Sequence, residues 1–86
     1  MKVIRSPRFD RTYRKLTKET RKAFREKMEL LESSNFTHPS LRIKKIKGTS
    51  YIWEGSIDMK HRFTFEKIEN GIKPRVIGKH SVLDRP

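Results

Sequence analysis

The second half of this chain contains four short β-prone segments separated by turn residues, and no other feature restricts the fold as strongly. The segments are LRIKKIKG (41–48), YIWEGSI (51–57), HRFTFEKI (61–68) and PRVIGK (74–79). Gly48, the residues 58–60 and the ENG sequence at 69–71 separate them. Short consecutive strands rich in Ile, Val, Phe, Tyr and Trp, joined by tight turns, predict an antiparallel meander.

Alternation along the middle two segments assigns their side chains to two faces of the sheet. The apolar odd-numbered set is Trp53, Ile57, Phe63 and Phe65, and the polar even-numbered set is Glu54, Arg62, Thr64 and Glu66. We expect the odd face to pack on helices and the even face to meet solvent. The turn between the segments is predicted to pair Ile57 with His61. Ser56 then lies opposite Arg62, with Glu54 as a diagonal neighbour on the open face.

Two amphipathic segments precede the β region and predict an αα-hairpin. Ser6 before Pro7 is typical of a helix start, and the apolar stripe that follows is Phe9, Tyr13 and Leu16. Thr17 can cap a second helix, whose stripe is Ala23, Phe24, Met28, Leu30 and Leu31. A β-like pair, Val3 and Ile4, comes first. The predicted fold is a single α+β domain over residues 1–86, with an N-terminal strand and a helical hairpin packed on one face of a four- to five-stranded antiparallel sheet.

The charge balance indicates the class of partner. The chain has 22 Lys and Arg against 10 Asp and Glu, a net charge of +12. This excess makes nucleic-acid phosphate the leading partner, with an acidic protein second. Without cysteine there is no disulfide framework or thiolate ligand, and the histidines at 38, 61 and 80 lack metal-site spacing. We therefore expect no metal and no cofactor.

The sequence also bears on location. MKVIRS lacks the apolar run of a signal peptide, and no stretch approaches the roughly 20 apolar residues of a membrane span. We expect a cytoplasmic protein that does not contact the membrane.

One group of residues suggests RNA cleavage without a metal. Arg62, His61, His80 and Glu54 could supply a base for the 2′-hydroxyl proton, an acid for the leaving 5′-oxygen, and a guanidinium that holds the phosphate. The alternative is an ordinary surface ion pair in which Glu54 meets Arg62 or Lys60 across the hairpin. The segment RIKKIK at 42–47 also has two interpretations. It fits either a strand edge that lysines protect from pairing or an RNA-binding surface.

The position of His80 depends on the last hairpin. A two-residue NG turn would pair Glu69 with Ile72, which puts Lys79 beside Arg62 and His80 on the opposite face. A longer turn or a bend at Gly78 would return His80 to the face of Arg62.

Taken in order, these motifs resemble the RelE/ParE toxin superfamily over essentially the whole chain. The resemblance rests on the short first strand, a helical hairpin ending in LLESS, and the stretches HPSLRIKKIKG, IWEGSI, KHRFTFE and VIGKHSVL. The family is typified by a Leu- and Lys-containing strand ending in glycine, a Trp-containing strand, an arginine before an aromatic strand, and a GxHxxL-like tail. No single motif is specific, but their order at this length and charge is.

The resemblance implies the toxin of a type II toxin–antitoxin system, in the RelE/YoeB-like mRNA interferase branch. Such a toxin is a ribosome-dependent mRNA endonuclease, neutralised by an acidic antitoxin with which it forms a hetero-oligomer. By position, Arg62 matches the arginine that binds the scissile phosphate, and His80 matches a C-terminal histidine that acts as general acid or base. Glu54 completes the candidate catalytic set. The candidate RNA- and ribosome-binding residues are Lys44, Lys45, Lys47, Lys60, His61 and Lys79.

Two other functions stay open. Many nuclease members end with a tyrosine, whereas the tail KHSVLDRP has Ser81 after His80 and no tyrosine. This departure favours a ParE-like gyrase poison without nuclease activity. The third reading is a non-catalytic basic module that binds nucleic acid through its sheet.

Overall fold

Two helices lie on one face of a five-stranded sheet in the computed structural model, which describes all residues from 1 to 86. The helices are α1 (Pro7–Arg14) and α2 (Lys18–Ser33). The strands are β1 (Lys2–Val3), β2 (Lys44–Lys45), β3 (Ile52–Ser56), β4 (His61–Ile68) and β5 (Gly71–Lys79). Two 3₁₀ helices, Pro39–Leu41 and His80–Asp84, complete the chain.

Side-chain caps start both helices where the sequence predicts. The Ser6 hydroxyl accepts a hydrogen bond from the backbone N–H of Phe9 at 3.1 Å, with Pro7 at the first helical position. The Thr17 hydroxyl accepts from the N–H of Thr20 at 3.2 Å. The predicted helical hairpin is therefore confirmed.

The sheet order is β1-β5-β4-β3-β2, and β2 to β5 form the predicted antiparallel meander. The predicted α+β fold is thus confirmed. One detail differs, because β1 runs parallel to β5, with Lys2 opposite Gly71, so the sheet is mixed rather than wholly antiparallel. A parallel pair needs a long crossover, and the hairpin and meander between β1 and β5 provide it.

The first predicted strand of the meander, 41–48, is mostly not a strand. Only Lys44–Lys45 pairs with β3, because Pro39–Leu41 forms a 3₁₀ turn and Arg42 adopts the left-handed region at φ 48°. Gly48, at φ 89°, ends the segment in a conformation that favours glycine.

The core lies between the helices and the odd face of β3 and β4, as the alternation predicts. Its buried members are Phe9, Phe24, Leu31, Leu41, Ile57, Phe63, Phe65, Ile72 and Ile77. Phe24 of α2 meets Phe63 edge to face at 5.4 Å between ring centroids, and Phe63 stacks on Phe65 at 5.4 Å. Neither helix has the length and apolar character needed to cross a membrane.

The even face is less open than the alternation predicts. Thr64 was expected to meet solvent, yet its exposure is 0% because the C-terminal segment crosses this face. The Thr64 hydroxyl donates to the backbone oxygen of Pro86 at 3.1 Å, and Nε of Arg75 donates to the same oxygen at 2.9 Å. The expectation for Thr64 is therefore wrong, since alternation along a strand cannot reveal a covering segment.

Candidate functional site

A β-bulge decides which residue lies beside Arg62. The β4–β5 turn pairs Ile68 with Gly71, and Asn70 in the turn adopts φ 61°. The predicted pairing of Glu69 with Ile72 is wrong. Farther from the turn, the register changes between Phe65 and Thr64.

The extra residue of the bulge is Arg75, since Phe65 pairs with Pro74 and Thr64 with Val76. Past the bulge, Arg62 lies opposite Gly78 instead of Lys79, which lies opposite His61. Gly78 therefore shares the face of Arg62, and β5 ends one residue later, where His80 begins the last 3₁₀ helix.

The three predicted catalytic residues, Arg62, His80 and Glu54, line one concavity of about 300 Å³ on the even face. Its other lining residues are Arg42, Ile43, Lys44 and Ser56. We call this site the Arg62 concavity. Three strands (β2, β3 and β4), the segment before β2 and the C-terminal 3₁₀ helix contribute to it, so residues up to 38 positions apart in the chain meet there.

The turn before β4 anchors the Arg62 guanidinium. Its Nη1 donates to the backbone oxygens of Asp58 at 2.7 Å and of His61 at 3.0 Å. The other guanidinium N–H groups make no hydrogen bond within the chain. Arg62 is thus held in place with donors left over for an anion. Ser56 lies directly opposite it in β3, as predicted, and is buried.

Glu54 forms an ion pair with neither of the two partners predicted for it, Arg62 and Lys60. Its carboxylate lies 4.0 Å from Nζ of Lys44 rather than against Arg62 or Lys60, and its side chain is 13% exposed. Lys44 pairs with Glu54 in the sheet, so the cation and the carboxylate meet on one face.

Arg42 is a lining residue that sequence reasoning missed. It lies on no strand, and only the 3₁₀ turn that starts at Pro39, followed by its own left-handed backbone, turns it toward the site. Arg42 also lines a neighbouring concavity of about 320 Å³ that Arg62 and Ser56 share, with Met59 of the β3–β4 turn on its rim. The only sequence signal was its position at the start of RIKKIK.

The candidate RNA-binding residues do not form one group. Of the RIKKIK lysines, only Lys44 lines the Arg62 concavity. Lys45 points to the other face, where its Nζ lies 5.4 Å from the ring centroid of Trp53, and Lys47 lies exposed beyond β2. Lys60, His61 and Lys79 line a separate concavity on the helix side of the sheet.

Asp58 organises the turn between β3 and β4. Burial raises the pKa of this carboxyl, but hydrogen bonds from the backbone N–H of Lys60, from the His61 ring and from the His61 backbone N–H, together with the charge of His61, outweigh it. The net effect holds the pKa of Asp58 below its ordinary value. Asp58 lies 3.0 Å from Nδ1 of His61.

No three His, Asp or Glu side chains come together in a way that could hold a metal ion. What the Arg62 concavity does offer is two guanidiniums, an ammonium, a carboxylate and an imidazole within one small space. That set can bind a phosphate and move protons beside it.

Solved structures with the same architecture are bacterial and archaeal toxins. The YoeB dimer from Staphylococcus aureus superposes with a TM-score of 0.77 at 18% identity, covering 93% of this chain and 97% of that one. The RelB–RelE antitoxin–toxin complex from Methanococcus jannaschii gives 0.74 at 20% identity, covering 95% of each chain. A YoeB/ParE toxin from Agrobacterium tumefaciens gives 0.75 at 14% identity, covering 93% and 99%.

The chain has the RelE/ParE toxin fold. The match spans nearly the full length of both chains in each case, so the RelE/ParE-like architecture includes the helical hairpin as well as the sheet. No protein-family model matches the sequence, and no curated protein sequence matches it either. This chain therefore shares the fold of these proteins but little of their sequence.

Proposed function

We propose that this chain is the toxin of a type II toxin–antitoxin system and that it cleaves mRNA on the ribosome. The observation that carries the proposal is the convergence of Arg62, His80 and Glu54 on one concavity. The shared fold with YoeB and RelE supports the toxin role.

The proposed chemistry is attack of the ribose 2′-oxygen on the adjacent phosphorus, which expels the 5′-oxygen and leaves a 2′,3′-cyclic phosphate. Arg62, with Arg42, neutralises the charge that develops on the phosphate oxygens. Glu54 and His80 exchange the two protons, one taking the 2′-hydroxyl proton and the other protonating the leaving oxygen. The side chains of this chain supply all three tasks, so the proposed reaction uses no metal.

The proposed partners are the ribosome and mRNA, and an acidic antitoxin that forms a hetero-oligomer with the chain in the cytoplasm. The chain carries a net charge of +12, and the M. jannaschii RelE structure is of a complex with RelB. Basic surfaces attract an acidic chain at rates that fall as salt rises.

A gyrase poison without nuclease activity is the second candidate. The tail after His80 has no tyrosine that could stack on a base, and one of the similar structures bears the name YoeB/ParE. The two candidates differ in whether the Arg62 concavity cuts RNA.

Single-turnover cleavage of mRNA on programmed ribosomes tests the proposal. We expect Arg62→Ala to lower the cleavage rate about 100-fold or more, as removal of one preorganised donor does elsewhere. Ribosome affinity should stay within a few-fold, because the other basic residues supply most phosphate contacts. Arg11→Ala is the matched control, since Arg11 is an exposed arginine of α1 outside the site.

His80→Ala should cause a similar loss of rate, because it removes one of the two groups proposed to exchange protons with the substrate. Cleavage by Arg62→Ala at the wild-type rate would show that the catalytic assignment is wrong. A wild-type chain that cuts no RNA but still arrests growth would favour the gyrase poison.

A further inference from the structure

A second cationic pocket lies on the helix side of β4, behind the Arg62 concavity. Its volume is about 400 Å³, and its polar lining is Lys15, Thr17, Thr20, Lys60, His61 and Lys79. We call it the reverse pocket. Successive residues of a strand point to opposite faces, so His61 enters this pocket while its neighbour Arg62 enters the concavity on the other face.

The reverse pocket gathers charges of one sign from three parts of the chain. Lys15 comes from the turn between the helices, Lys60 from the β3–β4 turn, and Lys79 from the end of β5, directly opposite His61. None of the three lysines has an ion-pair partner in the chain, and no carboxylate lines the pocket. Like charges that line one pocket repel each other, so the arrangement favours a bound anion.

Asp58 fixes the His61 ring at the edge of this pocket. Its two carboxylate oxygens lie 3.0 and 3.1 Å from Nδ1 of His61, so Nδ1 carries a proton and is engaged. The remaining ring nitrogen, Nε2, makes no hydrogen bond within the chain. The imidazole therefore has a fixed orientation at the pocket edge. Its Nε2 can donate to an oxyanion only when the ring is protonated, because a neutral ring with its proton on Nδ1 leaves Nε2 as an acceptor.

We propose that the reverse pocket binds a phosphodiester group of RNA, independently of the Arg62 concavity. Three ammonium groups with no carboxylate among them suit a compact oxyanion, and the +12 charge of the chain favours a polyanion. The hairpin from β3 to β4 then grips RNA at two points, one on each face of the sheet. Naming RNA as the polyanion rests on the proposed function; the pocket and its preference for phosphate do not.

The test is binding of a short 2′-O-methyl RNA, which cannot undergo 2′-hydroxyl attack, to the full chain at several salt concentrations. We expect the double variant Lys60→Ala/Lys79→Ala to bind about 10-fold more weakly. The slope of log affinity against log salt should fall by about 0.7, the value for one phosphate of a single strand. The control Lys2→Ala/Lys22→Ala removes the same charge from exposed lysines outside both sites.

Imidazole NMR resonances identify the site directly. RNA should shift the His61 resonance as well as that of His80, and in the double variant only the His61 shift should be lost.

Equal losses of RNA affinity in the double variant and in its control would overturn the proposal, because the loss would then reflect only the change in net charge. A His61 shift induced by polyglutamate at lower concentration than by RNA would also overturn it and assign the pocket to an acidic protein. These outcomes are separate from those of the cleavage assay. Wild-type RNA binding at His61 with no cleavage on ribosomes would retain the reverse pocket and refute the nuclease.

Discussion

The substitution Gly78→Ala, which adds one methyl group to β5, should test how the fold positions His80. Gly78 lies opposite Arg62 in β5, two residues before His80. A Cβ atom at this position would lie 2.9 Å from Cγ1 of Val82 in the C-terminal 3₁₀ helix. Ordinary carbon contacts are about 3.5–4.0 Å, so Gly78→Ala requires a displacement of about 1 Å. Valine is stiff about χ1, so the 3₁₀ helix has to move.

The expected magnitude follows from that overlap. Overpacking of this kind costs about 1–3 kcal/mol of unfolding free energy. His80 lies between Gly78 and Val82, so the same movement displaces its imidazole from the Arg62 concavity. A misplacement of about 1 Å can lower a rate about 100-fold. Gly78→Ala should therefore reduce the proposed RNA cleavage although every proposed catalytic side chain is retained.

Val82→Ala provides the control, because it removes the methyl group that meets the new Cβ. The double variant Gly78→Ala/Val82→Ala should recover most of the cleavage rate and a wild-type His80 imidazole resonance. Urea unfolding of the four proteins measures the coupling between the two positions, which we expect to be favourable by about 1 kcal/mol or more.

Two results would refute this reasoning. The first is a Gly78→Ala protein with an unchanged His80 resonance and wild-type stability. The second is a double variant in which the two losses simply add. Both measurements hold whether or not the chain cuts RNA, since neither stability nor the resonance depends on catalysis.

Three further predictions concern stability. Gly55→Ala should lower the urea midpoint by the equivalent of about 1–3 kcal/mol, because its Cβ would lie 2.5 Å from the buried ring of Phe63; an unchanged midpoint would contradict the packing described. Thr64→Val should cost about 1 kcal/mol by removing the hydroxyl that donates to Pro86 at 3.1 Å, and faster amide exchange in the C-terminal segment would check it. The pKa of Asp58 is lower in the folded state than in the unfolded state. The stability that ionised Asp58 adds is therefore complete above the unfolded pKa of about 4 and is lost as pH falls through the lower folded pKa. Asp58→Asn should therefore lower stability at pH 7 and flatten the loss below about pH 4; unfolding curves that stay parallel to wild type across pH 2–7 would exclude this role.

Local patterns alone predicted most of the architecture. The hydroxyl caps at Ser6 and Thr17 start the helices because they satisfy N–H groups that the first turn leaves free. Alternation from Phe63 to Phe65 assigned the core face, because side chains along a strand point to opposite sides. The same alternation placed Ser56 opposite Arg62, since a tight turn defines the register next to it. His80 was a candidate from its chemistry, and the resemblance to RelE/ParE toxins implied its role as general acid or base.

Other features depend on contacts between distant segments, which no local pattern records. The burial of Thr64 comes from a segment more than 15 residues later in the chain. The presence of Arg42 in the site comes instead from a left-handed backbone at the end of the 3₁₀ turn, a conformation for which arginine has no strong preference.

The amino-acid sequence by itself determined the helices, the meander, the basic charge and the face on which Arg62 and Glu54 lie. The tertiary structure decided whether His80 joins them. A bulge at Arg75 adds one residue to β5, which moves Gly78 opposite Arg62 and starts the last 3₁₀ helix on that side of the sheet. Because the side-chain period of a strand is two, a single extra residue exchanges the two faces, and pairing with the neighbouring strand determines where that residue is inserted.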